Sequence, residues 1–459
     1  MNLDQLFFKY CVYYPTVLLQ GEKVPQHLRN FRKTQWASSN DLAELQERKL
    51  RALVAHAKLR IPHYQRALRG IDLKRTFGLE DLRNLPLVSK RDLQTAQVEF
   101  TEPGTQSTLK RKTTGGTTGQ PVFVWKTADA IAQENAANWR GFEWAGIDIG
   151  DRQGRFWGLP LTRRSRLRAH TADFIVNRRR CSAFSFNESD MGRYTKRLNR
   201  FAPHYFYGYV SMLTAFAEYL RCSKERLEFN LQAVVPTAEP LTPYHRKLFT
   251  EFFGAPVFNE YGCGELGTIA HECEKGSMHI NSENLIVEIL RENEPCAPGE
   301  IGEVVVTELN NTGMPLLRYR LGDFASFADV PCSCGRGLPV IENIAGRALD
   351  IIYNREGKMF HGMFFLYVFQ EVKRKNLGIT AFQVVQNDLE HLVMKVVVNE
   401  RYGSETETLV RKLIQEAFGE YVHVAFDKVA EIPRERSGKM RLVVGMPFNT
   451  PSVTTRSEA

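Results

Sequence analysis

The sequence has 459 residues, 43% hydrophobic and 25% charged, with a formal net charge of +9. This is ordinary globular composition and excludes a disordered or fibrous chain; the length exceeds one compact core and predicts two or more domains. The positive excess suits anionic ligands such as nucleotides, or loose contact with a membrane surface or nucleic acid, without choosing among them.

Leu6 to Leu19 is apolar but interrupted by Lys9, Pro15 and several tyrosines. It is too short and polar to span a bilayer, and no small-residue cleavage site follows. It reads as a buried amphipathic segment, with a docking helix or a peripheral membrane contact as the alternatives. Without an export signal the expected location is cytoplasmic, where the eight cysteines are thiols or metal ligands rather than disulfides. Residues 1–100 read as a mostly helical leader. Leu42, Leu45, Leu50, Leu53, Val54 and Ala57 recur at helical spacing, Asn40-Asp41 is a candidate cap, and Ser89 opens a short helix.

Thr114, Gly115, Gly116, Thr117, Thr118 and Gly119 form a glycine-threonine loop ahead of apolar Val122 to Trp125. Such a loop exposes its N–H groups and suits a phosphate; the plain alternative is a surface turn. Gln120 and Pro121 stand where a Walker loop needs lysine and a hydroxyl residue, so P-loop kinases and ATPases are excluded.

A helix is predicted over Ala128 to Trp144. Strands near 155–158, 205–208, 231–235 and 255–258 alternate with helices at 211–221 and 242–253, the pattern of an α/β domain with a largely parallel sheet. Arg163, Arg164, Arg166 and Arg168, then Arg178, Arg179 and Arg180, read as a solvated face. Residues 262–267 hold a formal Gly-x-Gly-x-x-Gly, but the 268–273 segment is too short for the helix of a dinucleotide fold. From 278 to 330, Leu285–Leu290 and Gly302–Thr307 are strongly β and predict an antiparallel subdomain. Beyond Gly346 to Asp350, strands within 379–399, a helix at 404–418 and a strand then loop at 421–434 make a small α+β domain. The expected bounds are 1–347 and 348–448, with a polar, disordered tail at 449–459.

Cys332 and Cys334, with Cys273 and His279 upstream, have the soft-ligand composition of a structural Zn2+ site. His271 is a competing fourth ligand, and two surface thiols in a glycine-rich turn are the alternative. Cys11, Cys181, Cys222 and Cys296 read as packing residues.

Taken in order, Thr114 to Pro121, Thr237-Ala238-Glu239-Pro240-Leu241, Tyr261-Gly262-Cys263-Gly264-Glu265, Tyr319-Arg320-Leu321-Gly322-Asp323, Gly346-Arg347-Ala348-Leu349-Asp350 and Pro433 to Lys439 resemble the adenylate-forming superfamily of acyl-CoA synthetases and adenylation domains. Ile61-Pro62-His63-Tyr64-Gln65 and Leu85 to Lys90 resemble its phenylacetate–CoA ligase branch. His279 to Asn284 resembles relatives from capsular and exopolysaccharide clusters. The resemblance implies a large adenylation domain and a small C-terminal lid. It implies ATP-dependent activation of a small-molecule carboxylate to an acyl-adenylate, with transfer to coenzyme A to follow. It implies no nucleic-acid partner. Residue by residue, the 114–119 loop would hold the β- and γ-phosphates, and Ala238 and Glu239 would line the adenine pocket. Tyr261 would stack on the base, Glu265 would bind Mg2+, and Asp323 would take the ribose hydroxyls. Arg347 would sit near phosphate or ribose, Asp350 near the hinge, and Lys439 would bridge the carboxylate and the α-phosphate. The acid pocket would lie beside Tyr207, Gly208 and Tyr209. Gly264 stands where the family usually has serine or threonine, and residues 354–362 depart from its usual glycine-rich turn. A non-catalytic, nucleotide-binding scaffold in polysaccharide assembly is therefore the second expectation.

Overall fold

The computed structural model describes residues 3–71, 77–113, 122–157, 163–182, 188–223, 225–347, 351–355, 359–361, 364–365, 368–369, 371–372, 375–433 and 441–445. Capping chemistry sets the first helix boundaries. Ser38 opens the helix Ser39–Arg60: its hydroxyl accepts the Asp41 N–H, and the Asp41 carboxylate accepts the Ser38 N–H. This capping box, rather than the expected Asn40-Asp41 pair, satisfies the first-turn donors. Leu42, Leu50, Leu53, Val54 and Ala57 face inward at the predicted spacing. Ser89 caps Lys90–Thr95 with Asp92 in the same way, as expected.

The N-terminal segment is the expected amphipathic helix on one face only, where Tyr13 and Val17 join the core. Leu3–Leu6, Phe7–Tyr13 and Tyr14–Leu19 run on as one helical rod. Gln5, Lys9, Tyr13 and Val17 face inward, whereas Leu3, Phe7, Tyr10, Leu18 and Leu19 are exposed. Polar pairing decides the orientation: Lys9 Nζ donates to Asp148 at 2.5 Å, and Trp139 Nε1 donates to the Tyr13 hydroxyl at 2.8 Å.

The predicted helix over 128–144 forms as Ala128–Trp144, capped by Thr127. It lies close on the strand Gly267–Glu272; a Cβ at Gly141 would stand 2.1 Å from the His271 ring. That strand belongs to a twelve-stranded sheet. Its parallel half runs, in spatial order, Arg178–Ser182, Gln153–Trp157, Tyr205–Tyr209, Ala233–Thr237 and Glu260–Cys263. Tyr205–Tyr209 and Ala233–Thr237 are buried throughout, as strands covered on both faces must be. The sheet continues through Gly267–Glu272, Met278–Ile280, Val340–Arg347, Tyr319–Phe327, Gly302–Glu308, Leu285–Arg291 and Glu294–Pro295. The expected antiparallel subdomain is thus an extension of the same sheet. Residues 255–258 make a single bridge from Val257 to Val234 rather than a named strand. The glycine-rich 262–267 stretch turns a hairpin between Glu260–Cys263 and Gly267–Glu272, so the residues after Gly267 are strand, not helix.

The chain divides into two compact units, Met1–Ile344 and a second that takes in Ala345–Arg434 and the strand Val443–Val444. In the second unit, Ile379–Gln386 and His391–Val398 pair antiparallel, and His423–Lys428 and Val443–Val444 add parallel at the two edges. The helix Ser404–Phe418 crosses over between two of these strands and buries Val410, Ile414 and Phe418 in the unit's own core. No described helix is long and apolar enough to cross a membrane.

Candidate active site and metal centre

Ligands of open α/β sheets bind outside the carboxyl ends of the parallel strands. The strand Ala233–Thr237 ends there at Ala238, whose φ of 66° is a left-handed conformation uncommon outside glycine. Next to it, Glu239 accepts the Ser211 N–H at 2.6 Å and the Ser211 hydroxyl at 3.0 Å. Ser211 lies in the first turn of Val210–Cys222, where a carboxylate complements the helix dipole.

Thr237 pairs with Glu260, which brings the 260–272 hairpin beside Ala238. The hairpin carries Tyr261 and Glu265. The Tyr261 hydroxyl donates to Asp323 Oδ2 at 2.8 Å, and the Tyr319 hydroxyl reaches Glu265 Oε1 at 3.5 Å. Burial first, then the Glu265 charge, push the Tyr319 hydroxyl far up, so it remains a donor. Gly267 closes the turn at φ 76°, and a Cβ there would stand 2.3 Å from the Glu134 carboxylate. Tyr261, Glu265 and Asp323 therefore converge at one edge, with Ala238 and Glu239 on the neighbouring strand end. Arg347 ends the strand Val340–Arg347. Its side chain, and all of Thr114, Gly115, Gly116, Thr117, Thr118, Gly119, Asp350 and Lys439, lie outside the described residues.

The strands flanking the 114–119 loop are described. Lys110–Thr113 and Phe123–Lys126 pair antiparallel, Thr113 opposite Phe123. Sequence reasoning missed what holds them. Lys126 Nζ is fully buried, 2.6 Å from Glu308 Oε1 and 3.2 Å from Glu134 Oε2, and Lys112 donates to the same Glu134. One carboxylate of the 128–144 helix thus grips both strands of the loop's stem. The signal was present as lysines at alternate positions of short strands, but their partners lie far away in the sequence.

At the expected acid pocket, Trp157 stacks on Tyr207 with ring planes 11° apart and lies 4.2 Å from the Tyr209 ring. A Cβ at Gly208 would meet Phe156 at 2.5 Å. The Arg155 guanidinium, also missed, lies over Trp157 at 4.5 Å and Tyr207 at 5.1 Å. Burial, then Arg178, push it down to about 9.

The thiols form a separate centre. Cys273, His279, Cys332 and Cys334 present ligand atoms that all lie within 4.8 Å of one another. Cys273 Sγ is 3.7 Å from Cys332 Sγ, and Cys334 Sγ is 3.2 Å from His279 Nε2. Sulfurs on a tetrahedral zinc stand about 3.8 Å apart, given bonds of about 2.3 Å. His279 Nδ1 donates to the Leu338 carbonyl at 3.0 Å, which turns the Nε2 lone pair toward the thiols. The donor set fits Zn2+. His271, the competing ligand, is elsewhere: its Nε2 meets Asn138 Oδ1 at 3.1 Å. Of the cysteines expected to pack, Cys181 is buried and Cys296 partly so, but Cys11 and Cys222 are exposed.

Compared with known proteins, residues 352–445 match the family model of the CapK C-terminal domain. Protein CapK of Staphylococcus aureus is 24% identical over 413 residues, covering 88% of this chain and 89% of the relative. A phenylacetate-coenzyme A ligase of Thermus thermophilus is 27% identical over 443 residues, covering 88% and 96%. Among solved structures, 2-hydroxyisobutyryl-CoA ligase in the postadenylation state, in complex with R3-HIB-AMP, superposes with a TM-score of 0.72 at 20% identity, over 89% of this chain and 90% of that one.

Proposed function

We propose, for a chain homologous to CapK and the phenylacetate–CoA ligases and folded as the adenylate-forming CoA ligases are, that it activates a carboxylic acid with ATP and passes the acyl group to coenzyme A. The observation that carries this is the convergence of Tyr261, Glu265 and Asp323 at the carboxyl ends of the parallel strands. In the first step the substrate carboxylate attacks the α-phosphorus of ATP, forming acyl-AMP and releasing pyrophosphate. In the second the thiol of coenzyme A displaces AMP and gives up its proton. Two anions meet in the first step, so positioning and fixed positive charge are what it needs.

On this proposal Asp323 holds the ribose hydroxyls, Tyr261 covers the base, and Ala238 and Glu239 line the adenine pocket. The 114–119 loop cradles the β- and γ-phosphates, and Arg347 lies near phosphate or ribose. Lys439 supplies the cation between the carboxylate and the α-phosphate. Glu265, a buried carboxylate with the Tyr319 hydroxyl at 3.5 Å, suits Mg2+, which when bound neutralises phosphate charge. Tyr207, Tyr209, Trp157 and Arg155 line the acid pocket. The CapK likeness motivates a role in polysaccharide assembly.

The test is carboxylate-dependent exchange of labelled pyrophosphate into ATP over a panel of acids. Lys439→Ala should lower the exchange on the order of a hundredfold or more. Equal exchange in wild type and variant on every active acid sinks the mechanism; tight ATP binding with no exchange on any acid favours the scaffold instead.

The site also holds a thiol, and a covalent acyl-enzyme is the obvious rival. Burial first, and Glu265 second, push Cys263 well above the usual thiol range, so it is protonated at neutral pH and a poor nucleophile. Cys263→Ser should leave acyl-CoA formation essentially unchanged; abolished acyl-CoA formation with intact pyrophosphate exchange points to the acyl-enzyme.

The cysteine-histidine set belongs to the same proposal as a structural Zn2+ site. Cys273, His279, Cys332 and Cys334 would complete a closed tetrahedral shell with no open position for chemistry.

A further inference from the structure

Single apolar side chains on a surface are unremarkable, but a contiguous stripe is not. The helical rod at residues 3–19 turns such a stripe outward. Leu3, Phe7, Tyr10 and Leu18 follow one another at helical spacing, and Leu19 extends the stripe. Leu3 is 86% exposed, Phe7 52% and Leu19 89%. The inward face is the more polar one, fixed by Lys9 on Asp148 and Tyr13 on Trp139. Tyr13 and Val17 join the core on that inward face, and with the two polar pairs they hold the stripe outward.

A second helix prolongs it. Phe8 meets Phe174 edge to face at 5.5 Å. Phe174 and Leu167, seven residues apart on Arg163–Ile175, are themselves mostly exposed. The first half of that helix is strongly basic in sequence, with Arg163, Arg164, Arg166 and Arg168 in six positions. Its one acidic residue, Asp173, is buried and bound by Arg178 and Arg180. The adjoining Arg179 is exposed. An aromatic and aliphatic stripe therefore adjoins a helix that is basic in sequence, with Arg168 exposed, and that offers no exposed acid. On the rod itself Asp4 is the one acidic side chain.

We infer that the outward face of the 3–19 rod, with the neighbouring helix Arg163–Ile175, seats this protein on the surface of an anionic lipid bilayer. The chemistry selects this occupant. Helices that lie in the membrane interface combine leucine and aromatic residues on one side with arginine or lysine at the margin, and anionic headgroups supply the missing counter-charge. A second copy of the same face would bring one basic helix against another, with only Asp4 of each rod as counter-charge. Leu3–Leu6 and Tyr14–Leu19, joined by the π-helical Phe7–Tyr13, make a rod long enough to lie in the interface, and no described helix can cross the membrane. The attachment is peripheral and salt-sensitive.

The test uses the full chain in a flotation assay, with vesicles of phosphatidylcholine alone and of phosphatidylcholine mixed with phosphatidylglycerol. Wild type should float with the mixed vesicles at low salt, about tenfold more than with the neutral ones. Binding should fall about as much in Phe7→Glu/Leu18→Glu and, separately, in Arg168→Glu. All three positions are exposed, so thermal melting should show the variants folded as wild type. The inference is overturned if wild type ignores both vesicles or binds them equally, or if the folded variants float as wild type does. It is equally overturned if light scattering finds a wild-type dimer that Phe7→Glu/Leu18→Glu dissociates, because a second copy then covers the face.

Discussion

Lys126→Met should destabilise the protein by about 3–5 kcal/mol, the usual cost of removing one partner from a buried ion pair. Lys126 is fully buried and is the cation between Glu308 and Glu134. Without it two carboxylates face each other out of water, with only Lys112 left on Glu134. Burial alone would raise Glu134, but Lys126 and Lys112 outweigh it and hold the carboxyl at about 2, against an ordinary value of 4.5. A carboxyl depressed in the folded state adds stability that is complete above its unfolded value and lost as pH falls through the folded one. Stability should therefore decline between pH 4.5 and 2. Glu308 moves oppositely, raised chiefly by burial, so the acid loss is carried by Glu134. The check is denaturant unfolding of wild type, Lys126→Met and the triple variant Lys126→Met/Glu134→Gln/Glu308→Gln across this range. The triple variant should recover most of the loss at neutral pH and show a flatter acid response. Because Glu134 grips both strands of the loop's stem, Lys126→Met should also raise the KM for ATP in the exchange reaction. An unchanged KM alongside the lost stability would separate the stem from phosphate binding.

Local and tertiary causes explain what the sequence disclosed. The helix Ala128–Trp144 was legible residue for residue, since its cap, its apolar spacing and the glycine beyond it all agree. The alternation of strands and helices over 150–260 likewise announced the parallel sheet. The hairpin at 260–272 was harder: Gly262, Gly264 and Gly267 imitate a nucleotide fingerprint, and only pairing of Tyr261 with Ala270 decides for a turn between strands. The N-terminal rod was legible only on its inner face, where Tyr13 and Val17 join the core; the apolar residues left outside depend on two distant polar partners, Asp148 and Trp139, that fix its rotation. In the candidate site, motif order marked Tyr261, Glu265 and Asp323, which the fold does bring together. Lys126, Glu134 and Glu308 stayed hidden because charge pairs separated by up to 182 residues leave no local signature. Arg155 was hidden for a related reason, as its neighbours Trp157 and Tyr207 come together only across paired strands.

Zinc removal should produce the other large effect. The three cysteines come from two separate stretches, and the centre joins the 273–279 hairpin to the 332–338 loop. That loop in turn meets the N-terminal helices. Gly337 N–H donates to the Gln35 carbonyl at 3.1 Å, and the Arg336 guanidinium lies over Trp36 at 4.9 Å and Trp144 at 4.6 Å. A metal that binds only the folded chain stabilises it by about 4 kcal/mol when free zinc is a thousandfold above Kd. Metal analysis of the intact protein should find one zinc per chain, and Cys334→Ser or a chelator should release it and lower the melting temperature. Tryptophan emission should change with the loss, because the Trp144 ring stands edge-on to His279 at 5.7 Å. His271→Ala should keep the zinc, since that ring is engaged with Asn138 instead. Absence of zinc from the intact protein, or its retention in Cys334→Ser but not in His271→Ala, would mean that the four ligands are misassigned. Pyrophosphate exchange adds a second discrimination: a closed structural centre that shares no residue with Tyr261, Glu265 and Asp323 should alter stability much more than the rate per folded molecule.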